Sequence, residues 1–270
     1  MPNPKNITGN IFASKAQTLV NTINCVGAMG AGIALEYRLR YPKMYERYTN
    51  LCNRKMIKIG SLWLWKAEDR WILNFPTKLH WRDPSKEEYL HAGLKKFMDT
   101  YAEKGVESIA FPLLGAQNGG IDGEVSQSIM ESYLSKCDIP AEIYHFEPTA
   151  SDDQFELFRM RLLGMSPAQI KSETKLKSTA IQSILNALKD SSICHLSRLA
   201  ALSGVGRQSV ERVFQLVYKS SSGKEKLYQA PLSLGIDSGR PIMAVQESNE
   251  NHLICDKPEL TPNSLEFRSL

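Results

Sequence analysis

The feature that most constrains this chain is one loop set between a strand and a helix. The loop reads Ala110-Phe111-Pro112-Leu113-Leu114-Gly115-Ala116-Gln117-Asn118-Gly119-Gly120-Ile121-Asp122. It follows a short apolar run, Ser108 to Phe111, that reads as a buried strand. It precedes a helical pattern with Val125, Ile129, Tyr133 and Leu134 on one face. Glycine lets the backbone aim its N–H groups at a ligand with no Cβ in the way. A helix N-terminus behind such a loop adds its dipole to those donors. The implied ligand is a phosphate or diphosphate; the alternative is a tight turn with glycines for geometry alone. A second glycine loop upstream favours the ligand.

That second loop is Cys25-Val26-Gly27-Ala28-Met29-Gly30-Ala31-Gly32. It follows Thr18 to Asn24, a β-rich run ending in asparagine. Around the two loops, residues from about 5 to 147 alternate strand and helix patterns. A strand is expected around Ile7, then Thr18 to Asn24. A helix from Ile33 to Tyr41 is stopped by Pro42, and a short helix from Pro42 to Cys52 follows. Ile59 to Trp65 and Trp71 to Phe75 read as a hairpin-like pair, with a loop from Pro76 to Ser85. A helix from Lys86 to Lys104, the strand Ser108 to Phe111, a helix from Glu124 to Lys136 and a closing strand Ala141 to Phe146 complete the series. The order predicts an α/β fold with a mixed central sheet and helices on both faces. Ligands of such sheets bind beyond the strand ends, so both glycine loops are expected at one rim around one ligand.

Composition narrows the class. The chain has 270 residues, 42% of them hydrophobic and 23% charged, enough for a sizeable core and more than one domain. No apolar run of about 18 residues is present, so no membrane span is expected. The N-terminus has no apolar core of a secretory signal. The five cysteines carry no CxxC spacing, which suggests free thiols in a reducing compartment and no zinc site. A cytoplasmic protein is expected. Net charge is a mild +4.

Beyond the polar stretch Glu147 to Asp153 the chain changes character. Ile170, Leu176, Ile181, Ile184, Leu185 and Leu188 recur 29 residues on as Leu199, Val205, Val210, Val213, Phe214 and Val217. Each unit reads as helix, turn and helix with an apolar stripe. Lys171 to Lys226 holds ten Lys/Arg and four Asp/Glu, locally about +6. The second unit, Leu199 to Phe214 with a turn at Gly204, resembles a repressor helix-turn-helix, or winged-helix-turn-helix, unit. Arg207, Gln208, Ser209 and Arg212 would then face a DNA groove or phosphates. The other reading is a helical bundle with a solvated basic face. From about Gly239 the tail is polar and expected to be loosely ordered.

Neither glycine loop carries a Walker lysine or a Rossmann GxGxxG spacing, and the chain holds no HExxH and no GxSxG. Four motifs, in order, resemble a known family. Ile7-Thr8-Gly9-Asn10-Ile11, Leu19 to Asn24, Gly27 to Ala34 and Phe111 to Asp122 are together similar to a macrodomain, the ADP-ribose-binding fold. Asn10, the stretch Asn74-Phe75-Pro76-Thr77-Lys78-Leu79-His80-Trp81-Arg82, and Gly119-Gly120-Ile121-Asp122 resemble the DNA ADP-ribosyl glycohydrolase antitoxins, DarG. The resemblance implies a macrodomain over 1–150; the change of character and the repeat set tandem helix-turn-helix-like units over 155–240, a departure from that family, and a loosely ordered tail over 241–270. The resemblance also implies ADP-ribose contacts from Asn10, Ile11, Asn21, Asn24, Gly30, Ala31, Gly32, Ile33 and the loop from Leu113 to Ile121.

In that family a lysine at the position of Lys78 is required for turnover, and an aspartate at that of Asp122 assists in some relatives. The residues themselves are compatible with this. A loop lysine among apolar and aromatic groups can act as nucleophile or acid–base group, although most loop lysines are solvated charges. Asp122 can equally cap a helix. Asn21 and Asn24 can bond ribose hydroxyls or simply end a strand. His80, Trp81 and Arg82 are candidates for contacting DNA, since base–aromatic stacking stabilises by about 1–3 kcal/mol.

The expected activity is hydrolytic removal of ADP-ribose from DNA bases, with no metal or cofactor. The expected partners are ADP-ribosylated DNA, the product ADP-ribose, a cognate DNA ADP-ribosyltransferase toxin and, through the helical units, operator DNA. Two competing classes remain open: a non-catalytic ADP-ribose reader fused to a repressor, and a hydrolase of protein-linked or O-acetyl ADP-ribose.

Overall fold

A computed structural model describes residues 3–219 and 253–254. Six strands of the α/β part fall where the alternation predicts: β1 (Lys5–Gly9), β2 (Thr18–Asn24), β3 (Leu62–Lys66), β4 (Trp71–Lys78), β5 (Ile109–Pro112) and β6 (Ala141–Phe146). A short strand β7 (Leu253–Ile254) joins the edge. The sheet order is β1, β6, β5, β2, β4, β3, β7. Neighbours from β1 to β4 run parallel, and β3 is antiparallel to both β4 and β7. The rest of the tail expected to be loose lies outside the described residues.

Period-2 alternation sorts the strand side chains between two helical layers. Leu19 and Ile23 of β2, Trp63 of β3 and Ile72 of β4 pack with α1 (Gly32–Arg40) and α2 (Pro42–Asn53). Val20, Leu64, Leu73 and Phe75 point the other way, toward α3 (Glu87–Thr100) and α4 (Gly123–Leu134).

β4 runs three residues further than predicted. Proline cannot donate to a ladder, so Pro76 reads as a strand end. Here it pairs with Ile23 just before a register shift, after which Asn24 faces Lys78. A bulge of this kind tolerates the proline and re-aims the residue beyond it. Lys78 is therefore the last residue of a strand and not part of a free loop.

Five helices follow β6: α5 (Asp153–Leu163), α6 (Pro167–Thr174), α7 (Ser178–Ala187), α8 (Leu196–Ala201) and α9 (Arg207–Lys219). All twelve residues of the 29-residue repeat are buried. They form one cluster with Phe155, Phe158 and Leu162 of α5 and with Leu35 and Leu39 of α1. α1 is thus apolar on two sides, one toward the sheet and one toward the helical layer. Its polar residues lock the contact. The Glu36 carboxylate accepts from the Ser197 N–H at 2.7 Å, and Arg40 bridges Glu36 and Asp152 within the same buried cluster. Burial pushes the Glu36 carboxyl above the usual carboxylate range, against the pull of Arg40. Among the described residues no helix is long and apolar enough to cross a membrane.

Candidate active site

Because β2, β4 and β5 are parallel neighbours, their C-terminal ends share one rim. β2 feeds the loop Cys25 to Ala31, β4 ends in Lys78, and β5 feeds the loop Leu113 to Asp122. The two glycine loops, 80 to 90 residues apart in sequence, touch there. A Cβ on Gly32 would sit 2.7 Å from Asn118 Nδ2. Lys78 Nζ donates to the Asn118 carbonyl, so the lysine stands at the junction of the loops.

Asn24 builds the first loop. Its Oδ1 accepts from the N–H groups of Val26 at 3.1 Å and Ala28 at 3.2 Å, and its Nδ2 donates to the Ala28 carbonyl. This Asx-type turn holds the segment in place of regular structure. Tyr48 donates to the Asn24 carbonyl at 2.7 Å and fixes the loop to α2. The Cys25 N–H reaches the carbonyls of both Lys78 and Leu79 at 3.1 Å, tying the loop to the end of β4. Ala31 is exposed and precedes α1, whose first residue Gly32 has φ +52°. Gly30, Gly32 and Ile33 are half-buried at this rim.

The second loop is more strained. Gly115 and Gly120 have φ +67° and +81°, and the non-glycine Gln117 has φ +47°. Strain of this kind is retained where the surroundings over-determine it, often at a ligand site. Leu114 and Gly115 are buried, Leu113, Ala116 and Ile121 half-buried, and Gln117, Asn118 and Gly120 exposed. The Gly119 carbonyl accepts from the Ser85 N–H at 2.8 Å. Ser85 Oγ is buried without a hydrogen-bond partner and lies 2.6 Å from where a Cβ on Gly119 would be. The sequence reading passed over Ser85. With Glu88 three residues on, it resembles an ordinary helix cap, yet Lys86 is the N-cap of α3.

The remaining expected site residues divide. Asp122 caps α4, its Oδ1 accepting from Glu124 N–H at 2.8 Å and Val125 N–H at 3.2 Å. Asn21 is fully buried in the sheet and donates to Asn74 Oδ1 at 2.9 Å. Asn10 caps the 3-10 turn Ile11–Ala13 and donates to Asp152 Oδ2 at 3.2 Å, so it faces the start of the helical layer. Ile11 is buried beside it. His80, Trp81 and Arg82 follow Lys78 on a surface loop. Trp81 is 50% exposed, with the Arg82 guanidinium 4.6 Å from its ring centre and the His80 ring 5.4 Å away.

Of the four residues expected to face DNA, Arg207, Gln208 and Arg212 are exposed and Ser209 is half-buried. Arg212 donates to the Thr174 carbonyl at 3.3 Å. The Arg207 guanidinium occupies the space that any side chain at Gly30 would need.

Comparison with known proteins matches this architecture. The Macro domain family model matches residues 20–130. The solved macrodomain of Mycobacterium tuberculosis DarG is 39% identical, covers 52% of this chain and is itself covered over 95% of its length, with a TM-score of 0.50. The chain belongs to the macrodomain family. Among curated macrodomain relatives, the DNA ADP-ribosyl glycohydrolase of Thermus aquaticus is 40% identical over 147 residues, which is 53% of this chain and 40% of that protein. A DNA ADP-ribosyl transferase–DNA ADP-ribosyl glycohydrolase fusion protein of Thermosipho africanus is 31% identical over 157 residues, again 40% of its length. The macrodomain chain thus spans less than half the length of these relatives.

Proposed function

We propose that this macrodomain protein hydrolyses the bond between ADP-ribose and a DNA base, as an antitoxin to a DNA ADP-ribosyltransferase toxin. The observation that carries the reading is Lys78. A bulge at the end of β4 delivers it to the junction of the two glycine loops, beside the exposed Trp81 and Arg82. The names of the relatives support the same substrate, and the Thermosipho fusion joins a transferase to a glycohydrolase in one chain.

In this reading the two glycine loops hold the diphosphate and distal ribose through backbone N–H groups and the α1 N-terminus. Asn24 acts by shaping the first loop. Lys78 acts at the anomeric carbon of the distal ribose in one of two ways. Its free amine displaces the DNA base to form an adduct that water then hydrolyses, or its ammonium polarises the scissile bond while water attacks and the base leaves. The exposed Leu79 and Trp81, with Arg82, receive the modified base and strand. Asp122 supports the second loop from its cap position.

The test is incubation of the protein with ADP-ribosylated DNA and, separately, ADP-ribosylated protein. Release of ADP-ribose from DNA and not from protein is expected. Release only from protein reassigns the substrate, and binding of ADP-ribose without release from either makes the chain a reader.

A further inference from the structure

Arg207 lies outside the segment matched by the family model, yet it reaches the first glycine loop. Its guanidinium rests on Gly30, where a Cβ would crowd Nη1 and make it shift. The placement is imposed from both ends of its turn. Before it, Gly204 and Gly206 take φ +79° and +71° on either side of the buried Val205, which anchors the α8–α9 connection in the helical core. After it, Glu211 lies one helical turn along on the same face of α9. Glu211 would be the natural ion-pair partner of Arg207. Instead Arg38 of α1 takes it with a two-pronged fork, Nη2 to Oε2 at 2.8 Å and Nε to Oε1 at 3.3 Å. Arg38 is itself held over the Tyr45 ring at 4.3 Å. The exposed Arg207 guanidinium is left with no hydrogen-bonded or ion-pair partner among the described residues.

Other carboxylates of α1 and of the helix caps are engaged elsewhere: Glu36 and Asp152 are buried with Arg40, and Asp122 is engaged at the α4 cap. Arg207 lies against the first glycine loop at Gly30; two residues on, Gly32 meets Asn118 of the second loop, whose carbonyl accepts from Lys78 Nζ. Arg207 and Lys78 thus reach the two glycine loops from different elements. A planar guanidinium in such a place matches a phosphate, which it can bond through two parallel N–H groups.

We propose that Arg207, carried in by the helical layer, is a phosphate-binding residue of the ADP-ribose site. This rests on the reading of the rim given above. The phosphate belongs either to the ADP-ribose diphosphate or to the DNA strand beside the modified base. The helical layer then completes the macrodomain site in place of reading an operator through Arg207.

The experiment compares full-length wild type, Arg207→Ala and Arg207→Lys. Calorimetry with free ADP-ribose reads the diphosphate, and KM on an ADP-ribosylated oligonucleotide at two salt concentrations reads the strand. Arg207 is exposed, so unchanged circular dichroism is expected in both variants. If the diphosphate is the partner, Arg207→Ala weakens ADP-ribose about tenfold or more, as for other charge-assisted bonds. If the strand is the partner, ADP-ribose affinity holds, KM rises about tenfold and its salt dependence flattens by roughly one phosphate contact. Arg207→Lys recovers part of either loss. Wild-type affinity and KM in Arg207→Ala would overturn the proposal, as would tighter binding, which would mark Arg207 as a plug. Wild type that binds no ADP-ribose at all would overturn the site reading itself, and this proposal with it.

Discussion

The glycine-loop rim exposes strained residues, whereas the helical layer keeps its apolar stripe buried against α1. At the rim Gly115, Gln117 and Gly120 take positive φ, Ser85 Oγ is buried without a partner, and Trp81 and Leu79 stand half exposed. In the layer two helix starts are capped by side chains, although His195 Nε2 is buried without a partner and Lys175 takes φ +56°. Asp152 caps α5, Ser166 caps α6, and Thr174 Oγ1 donates to the Ile170 carbonyl at 2.7 Å. Both regions therefore carry some strain and unmet bonding capacity; the rim differs in carrying it on a loop whose Gln117, Asn118 and Gly120 are exposed, where a ligand can meet it. The two regions meet along α1, and the layer reaches the rim through Arg207.

The largest expected effect tests whether the layer is separate. Phe158 is fully buried against Phe155 and Phe214, with ring centres 6.0 and 5.8 Å away. Phe158→Ala should cost about 3–5 kcal/mol, as a truncated core aromatic does. Because Leu35 and Leu39 belong to the same cluster, one urea transition shifted to lower concentration is expected. Two resolved transitions would show that the layer folds without the sheet and would end the argument from shared packing.

Next in size is the chemistry of the rim. Lys78→Ala should lower removal of ADP-ribose from DNA by at least about a hundredfold, the low end for a lost acid–base group. Calorimetry should show near-normal ADP-ribose affinity, because the loops are untouched. Full activity in this variant would take Lys78 out of the mechanism.

Gly119→Val probes the strained loop. A Cβ there meets Ser85 Oγ at 2.6 Å and Ser85 Cβ at 3.1 Å, so the loop must move. Overpacking of this kind costs about 1–3 kcal/mol. ADP-ribose affinity should fall roughly tenfold with circular dichroism unchanged. Unaltered affinity would mean the loop is a turn that no ligand touches.

What could be read from the chain follows the range of the interactions involved. β2 was legible over Thr18–Asn24 because a β-branched run ends at asparagine, and the 29-residue repeat because its stripe is local. The end of β4 was not, since a bulge that accommodates Pro76 depends on its neighbour β2. Asn21 and Asn24 look alike in sequence, yet pleat alternation buries the first against Asn74 and gives the second to the loop. β7, two residues long, carries no periodic signal at all. Arg207 and Gly30 are 177 positions apart, and only packing of α8 on α1 and of α9 on α8 brings them together.

The smallest effect sharpens how the two regions are joined. Arg38 and Glu211 form the ion pair that sets α9 against α1, with side chains 15% and 24% exposed. Partly exposed pairs are worth about 0.2–1 kcal/mol after screening and side-chain entropy. Arg38→Ala, Glu211→Ala and the double variant make a cycle in which the coupling should fall in that range. The stability change alone would be a surface detail. The pair has a second consequence, because Glu211 released from Arg38 becomes available to Arg207 one turn away. Arg38→Ala should therefore draw Arg207 off Gly30 and weaken ADP-ribose binding by several-fold. In the double variant, with no carboxylate left at 211, part of that affinity should return. Equal affinity in all four proteins would show that the join between the regions does not govern the rim.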